Sequence, residues 1–190
     1  GRVAHALLFS GVRGVGKTTL ARLMAKSLNC QEGPTAVPCN ECRSCLEISG
    51  GSALDLLEID GASNRGIQEV RELKEKIKFM PTSSRYKVVI IDEVHMLTNE
   101  AFNALLKTLE EPQGQTLLIL LSAKPEGLLG TIRSRCQRLP FRRLPQNRLA
   151  EVLESRLELA EVDARVLAAL SEGSFKKALG SNHELYLEKR

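Results

Sequence analysis

The sequence has no tryptophan and only 4% aromatic residues, so a hydrophobic core has to be built from aliphatic side chains. It has no long apolar run. The longest ones, such as residues 117–121, fall far short of the roughly 20 residues that a membrane helix needs. The opening Gly1-Arg-Val-Ala-His5 has no apolar core of the kind a secretory leader carries, so a cytoplasmic protein with no membrane partner is expected. Charge of one sign is not in large excess either. Lys and Arg number 27 against 23 Asp and Glu, a formal +4 that permits nucleic-acid binding without demanding it. Internal repeats and low-complexity tracts are missing. What remains is 190 residues with 43% hydrophobic and 26% charged side chains, which excludes disordered, collagen-like and coiled-coil classes. That length suits one domain plus a small appendage. Five cysteines in such a chain point to metal or packing rather than disulfides.

Short apolar runs at residues 4–10, 54–59, 86–91 and 116–121 read as buried strands. Between them, residues 18–28 show helical spacing at Leu20, Leu23, Met24 and Leu28. Residues 67–79 place Ile67, Val70, Leu73 and Ile77 on one helix face, and residues 99–110 form a helix stopped by Pro112. Strand and helix alternate, which predicts an α/β fold with a mostly parallel sheet flanked by helices. Residues 131–141 read as a basic turn with a short strand. Beyond residue 146 the strand signals cease. Leu149, Val152, Leu153 and Leu157, then Val166, Leu167 and Leu170, then Ala178 and Leu179 predict three short helices. A boundary near 144–145 would separate a core of residues 1–144 from a helical lid of residues 145–190. Residues 30–45, with Gly33, Pro34, Pro38 and four cysteines, read as a loop or a small inserted module.

Gly11-Val-Arg-Gly-Val-Gly-Lys17-Thr18 satisfies the phosphate-loop pattern, with a strand before it and a helix after it. Glycines let such a backbone curl so that its N–H groups face a phosphate, and the following helix N-terminus adds positive potential. Lys17 would reach the β- and γ-phosphates, and Thr18 would hold Mg²⁺. The apolar run that ends in Asp92-Glu93 presents two adjacent carboxylates at a strand end, where parallel sheets bind ligands. Asp92 would complete the Mg²⁺ shell, and Glu93 is placed to polarise an attacking water. Cys30, Cys39, Cys42 and Cys45 have the spacing C-x8-C-x2-C-x2-C. Four soft thiolates favour a closed, structural Zn²⁺ site, with an iron–sulfur cluster or free thiols as the alternatives. Cys136 is expected to be a packed thiol.

The phosphate loop and the four-cysteine insert do not stand alone. LLEIDGAS (56–63), VVIIDEVHML (88–97), FNALLKTLEEP (102–112) and SRC (134–136) occur with them, and the set resembles the bacterial AAA+ clamp-loader subunits of DNA polymerase III over roughly residues 3–180. Residues 1–112 are similar to the gamma/tau branch, and residues 117–145 look more like the delta-prime branch. The resemblance implies a P-loop AAA+ domain with an inserted zinc module and a helical lid. It also implies ATP, Mg²⁺ and Zn²⁺ as cofactors. The partners implied are other subunits of a hetero-oligomeric ring, a sliding clamp and the backbone of primer–template DNA. Gly11, Gly14, Val15, Gly16, Lys17, Thr18 and Thr19 would hold the nucleotide. Arg135, in SRC, is similar to the family's arginine finger, which acts on a neighbour's ATP. Lys107, Thr131 and Arg65 are the implied DNA contacts.

Three departures from the family pattern shape the expectations. The first sensor position, Thr or Asn in the family, falls on Ala123, with Ser122 just before it. The second sensor arginine falls on Lys176, which keeps the charge but not the planar fork. The family's upstream adenine-contacting segment and its third domain are not matched, so a trimmed chain is expected. The main expectation is an ATP-hydrolysing clamp-loader subunit. The alternatives are a non-hydrolysing, delta-prime-like subunit that donates Arg135 and, from another class, a P-loop kinase, for which no acceptor-binding set is found.

Overall fold

The strands are short, and the computed structural model shows them all parallel: β1 (Ala6–Ser10), β2 (Leu56–Asp60), β3 (Lys87–Asp92), β4 (Thr116–Ser122) and β5 (Gln137–Pro140). The structure describes residues 4–110, 114–175 and 177–180. The helices are α1 (Lys17–Asn29), α2 (Arg43–Gly50), α3 (Ile67–Lys78), α4 (Asn99–Glu110), α5 (Gly130–Arg135), α6 (Gln146–Leu157) and α7 (Glu161–Leu170). The chain divides into two compact units. One comprises Gly1–Ser10 and Thr18–Pro140, and the other comprises Gly11–Lys17 and Phe141–Arg190. The division falls at residue 140 and groups residues 11–17 with the C-terminal helices.

In the first unit the sheet order is β2-β3-β4-β1-β5. The central strand β4 is buried at every residue, as expected of a run with apolar side chains on both faces. Val89, Ile91, Leu118, Leu120 and Leu8 point into a core that also takes Val70, Leu73 and Ile77 of α3, Ala101, Phe102 and Leu105 of α4, and Ile132 of α5. The alternate strand residues Phe9, Val88, Ile90, Ile119 and Leu121 are equally buried. The register aligns Ser10 with Ser122 and Asp60 with Asp92, so the polar C-terminal residues of four strands collect at one edge of the sheet. Thr98 starts α4, its Oγ1 accepting the Ala101 N–H at 3.3 Å.

Two local expectations are corrected. The buried apolar residues of α1 are Ala21, Ala25 and Leu28, while Leu20 and Leu23 face out. Alanines four apart let a helix lie close to its neighbours, and that close approach outweighs the larger apolar area of the leucines. The insert is not all loop. Its end continues into α2, which buries Cys45 and Ile48 and closes at Gly51 in the left-handed region, φ 71°.

The second unit is held by Leu149, Ala150 and Leu153 of α6 against Ala164, Leu167 and Ala168 of α7, with Ala178 from a following helical turn. Val152, Val166, Leu170 and Leu179, part of the spacing that predicts these helices, are exposed. Pro112 and the tail lie outside the described residues. Among the described residues, no helix is long and apolar enough to cross a membrane.

Candidate nucleotide and metal sites

Thr18 and Asp92 are far apart in sequence, and folding of the first unit brings them together. Thr18 Oγ1 donates to Asp92 Oδ2 at 3.0 Å. Neighbouring ligands of an octahedral Mg²⁺ with bonds of about 2.1 Å also stand about 3.0 Å apart, so this oxygen pair fits that ion. The other carboxylate oxygen of Asp92 accepts the backbone N–H of Glu93 at 2.8 Å. Glu93 itself sits at φ 47°, a left-handed conformation that a non-glycine residue adopts only when its surroundings compel it. Gly61, one residue past β2, takes part in that compulsion. Its N–H donates to the Asp92 carbonyl at 2.8 Å, and a Cβ there would lie only 2.8 Å from the Glu93 carbonyl oxygen. The Glu93 carboxylate is nearly buried and lies 3.4 Å from His95 Nε2. His95 Nδ1 in turn lies 3.1 Å from Ser122 Oγ at the end of β4. Ala123 follows Ser122 with no polar side chain, as expected.

Within the second unit, the loop of residues 11–17 curls through positive φ at Gly11, Gly14 and Gly16. A side chain at Gly11 would collide with the Phe141 carbonyl, so glycine is required there on two counts. Lys17 Nζ is buried and donates to the carbonyls of Gly11 at 2.7 Å and Val12 at 2.9 Å. The ammonium thus lies inside the curl of the loop. Ser174 Oγ donates to the Gly14 carbonyl at 3.1 Å, a contact that sequence reasoning missed. Arg143 and Lys177 both bind the Glu172 carboxylate, at 3.1 and 3.2 Å, and their charges hold it below the usual carboxylate range, Lys177 most. Lys176 lies outside the described residues. Thr19 follows Thr18 in the first turn of α1, and Val15 lies in the loop.

The four cysteines of the insert converge. Their sulfurs all lie within 4.8 Å of one another, and Cys30 and Cys39 are 3.5 Å apart. Tetrahedral thiolates at a Zn–S distance of about 2.3 Å would be separated by about 3.8 Å, so the cluster fits a four-thiolate zinc ion. Cys39 N–H donates to Cys30 Sγ at 3.5 Å and pulls the Cys30 thiol down, and Cys42 N–H donates to Cys39 Sγ at 3.4 Å. The backbone N–H groups of Gln31 and then Cys45 pull the Cys42 thiol down to about 6. Burial pushes Cys45 up to about 12. The module is tied to the segment just before β3 by two side chains. Asn29 exchanges two hydrogen bonds of 2.9 Å with the Tyr86 backbone, and Arg85 donates to the carbonyls of Cys30 and Gln31. Cys136 is a separate, packed thiol, pushed up to about 11 by burial.

Arg135 ends α5 and pairs with Glu110 at 2.7 Å while donating to the Thr131 carbonyl at 3.0 Å. Its side chain is partly exposed and fixed in direction. Lys107, Thr131 and Arg65 are all exposed, on α4, at the start of α5 and just before α3.

The family described as DNA polymerase III, delta subunit, matches residues 1–145. The DNA polymerase III subunit tau of Bacillus subtilis is 45% identical over 183 residues, which are 94% of this chain and 32% of that protein. The subunit gamma of Buchnera aphidicola subsp. Schizaphis graminum is 44% identical over 195 residues, 100% of this chain and 54% of that protein. The chain thus spans about a third to about half of the length of these curated relatives. Among solved structures, a gamma subunit-related protein of Thermotoga maritima superposes with a TM-score of 0.61 at 23% identity, covering 93% of this chain and 53% of that one. The RuvB branch migration motor of the same organism gives 0.61 at 18%, covering 92% and 51%. Such distant identities speak to the fold, which is the expected mostly parallel sheet flanked by helices.

Proposed function

The chain belongs to the DNA polymerase III delta-subunit family, and on that premise we propose that it is the ATP-binding and ATP-hydrolysing part of a gamma/tau-type clamp-loader subunit. The observation that carries this reading is the 3.0 Å approach of Thr18 to Asp92, with Glu93 as the next residue. Residues 11–19 hold the triphosphate through backbone N–H groups and the Lys17 ammonium, with Lys176 as a further cationic contact. Thr18 and Asp92 would hold Mg²⁺, which when bound would neutralise the developing phosphate charge. Glu93 accepts a proton from the attacking water at its carboxylate. Arg135 serves a neighbouring subunit's nucleotide, and the bond to Glu110 keeps its guanidinium aimed until that neighbour docks. Cys30, Cys39, Cys42 and Cys45 hold a structural Zn²⁺.

In the assembled ring the chain works with other clamp-loader subunits, a sliding clamp and primed DNA in the cytoplasm. Lys107, Thr131 and Arg65 would touch DNA phosphates without reading bases. ATP-bound and hydrolysed states then differ in affinity for clamp and DNA, which is what lets hydrolysis release both. A second reading, a non-hydrolysing subunit that only donates Arg135, is favoured by Ala123 at the first sensor position. Single-turnover ATP hydrolysis by the reconstituted complex, wild type against Glu93→Gln, separates the two. Equal rates would remove Glu93 from the mechanism.

A further inference from the structure

We propose that His95 and Ser122 form a buried positioning relay for the Glu93 carboxylate, through which the end of β4 sets the direction of the base. This rests on the reading of Glu93 given above. Three observations carry it. The first is contact: Glu93 Oε2 lies 3.4 Å from His95 Nε2, and His95 Nδ1 lies 3.1 Å from Ser122 Oγ. The second is burial: Ser122 has no exposed surface, and only 9% of the His95 side chain and 13% of that of Glu93 are exposed. Glu93 Oε2 is buried, and the His95 ring beside it is the polar group placed to restrain it. The third is direction. The Lys124 N–H donates to Ser122 Oγ at 3.1 Å. That bond anchors the serine oxygen at the end of β4 and leaves its own hydrogen to donate to His95 Nδ1. With the hydroxyl donating to Nδ1, the imidazole carries its hydrogen on Nε2, on the side of Glu93. That tautomer turns the Nε2 hydrogen toward Glu93 Oε2, and the 3.4 Å approach of the ring limits where the carboxylate can swing.

The backbone explains why such a relay is needed. Glu93 is held in a left-handed conformation by the Asp92 carboxylate and by the close approach of Gly61, which fixes its Cα and leaves the side-chain torsions open. A glutamate has three rotatable bonds, and a base displaced by about 1 Å can lose about 100-fold in rate. His95, on a 3-10 turn at Val94–Met96, removes that freedom. Ser122 fixes the ring itself. Ala123 has no polar atom to offer at the first sensor position, and the residue before it supplies the link from β4 to the base.

The test uses the full-length chain assembled in its complex and measures both single-turnover ATP hydrolysis and the Kd of a fluorescent ATP analogue. His95→Ala is expected to lower the hydrolysis rate about 10- to 100-fold while Kd stays within about twofold, the range typical of groups that orient a reacting ligand. Ser122→Ala, which removes one oxygen, is expected to lower the rate about 10-fold with the same unchanged Kd. In a Glu93→Gln background neither substitution is expected to lower the rate further, because both act through the carboxylate. A slow Glu93→Gln beside a His95→Ala or Ser122→Ala of wild-type rate would overturn the relay alone. So would equal losses in both backgrounds, or a loss matched in Kd, since a merely structural role has those effects. Equal rates for wild type and Glu93→Gln would overturn the base assignment and the relay with it. If His95→Ala does not fold, Ser122→Ala and its Glu93→Gln combination decide the matter.

Discussion

The thiols of the insert all come from residues 30–45, whereas the polar groups at the strand ends come from positions as far apart as Thr18, Asp92 and Ser122. Both constellations are small, partly buried and held by backbone donors. They differ in what assembles them. In the insert the sulfurs lie within 4.8 Å of one another and are separated by at most fifteen positions of a chain that turns at Gly33, Pro34 and Pro38. Thr18 and Asp92 meet only because a helix and a strand from distant parts of the chain pack into one layer. A locally assembled site is therefore sensitive to its own ligands, while an assembled strand-end site depends on every element that sets the positions of its parts.

Removing the metal should test the first half of that contrast with the largest effect. Structural zinc–thiolate modules gain about 10–16 kcal/mol from the metal in peptides, so chelation is expected to unfold the insert locally. Hydrogen exchange over residues 30–50 would speed up while the central strands stay protected. Purified protein that contains no zinc, or an insert equally protected after chelation, would break the contrast. The pH dependence has a definite sign. Burial pushes Cys45 to about 12, so its proton must leave when zinc enters, and zinc affinity falls as pH falls.

Glu93→Gln comes next, at a roughly 10²- to 10⁴-fold loss of hydrolysis. Zinc content and thermal midpoint should be those of the wild type, because the substitution keeps the shape of the side chain. A lowered midpoint would mean that the carboxylate serves the fold rather than the chemistry.

A third test concerns single residues that tie distant segments. Asp55 is fully buried, which by itself would raise its carboxyl, yet the backbone N–H groups of Ser83, Thr82 and Ser84 hold it below the usual range. Asp55→Ala orphans three donors and should cost about 3 kcal/mol in a urea titration. Because its folded pKa is depressed, the stability it contributes is present above the unfolded value of about 3.9 and is lost as pH falls through the lower folded value. Stability indifferent to Asp55→Ala would show that the loop is held by something else.

The smallest effect is expected at Cys136, whose thiol burial pushes up to about 11. A raised pKa means that its contribution is complete below pH about 9 and lost as pH rises through about 11. Between pH 6 and 8 stability should not respond to it, and a thiol reagent should label it slowly. Fast labelling at pH 7.5 would contradict that burial.

Much of this was legible from residues alone. The phosphate-loop glycines, the apolar run into Asp92-Glu93 and the cysteine spacing each concern neighbours in sequence, where short-range sterics and ligand geometry decide the outcome. The bounds of α4, residues 99–110, were legible for the same reason. Other features were not. Leu20 and Leu23 read as the buried face of α1, but Ala21 and Ala25 are buried, because what counts is which face meets another element. His95 carried no signal, since a histidine three residues past an aspartate has no special spacing. Nor did Ser174, which reaches Gly14 across most of the chain.

The sequence by itself determined the local chemistry: where the backbone could curl around a phosphate, which four sulfurs could share an ion and which strand would end in carboxylates. Each of these is set within a few residues by glycine freedom, proline turns and apolar runs. The tertiary structure alone decided that Thr18 meets Asp92, that Ser122 reaches His95 and that residues 11–17 cluster with residues 141–190. The physical reason is register. Parallel strands bring Asp60 beside Asp92 and Ser10 beside Ser122 only after the helices between them have crossed over and packed, and no short stretch of sequence encodes that alignment.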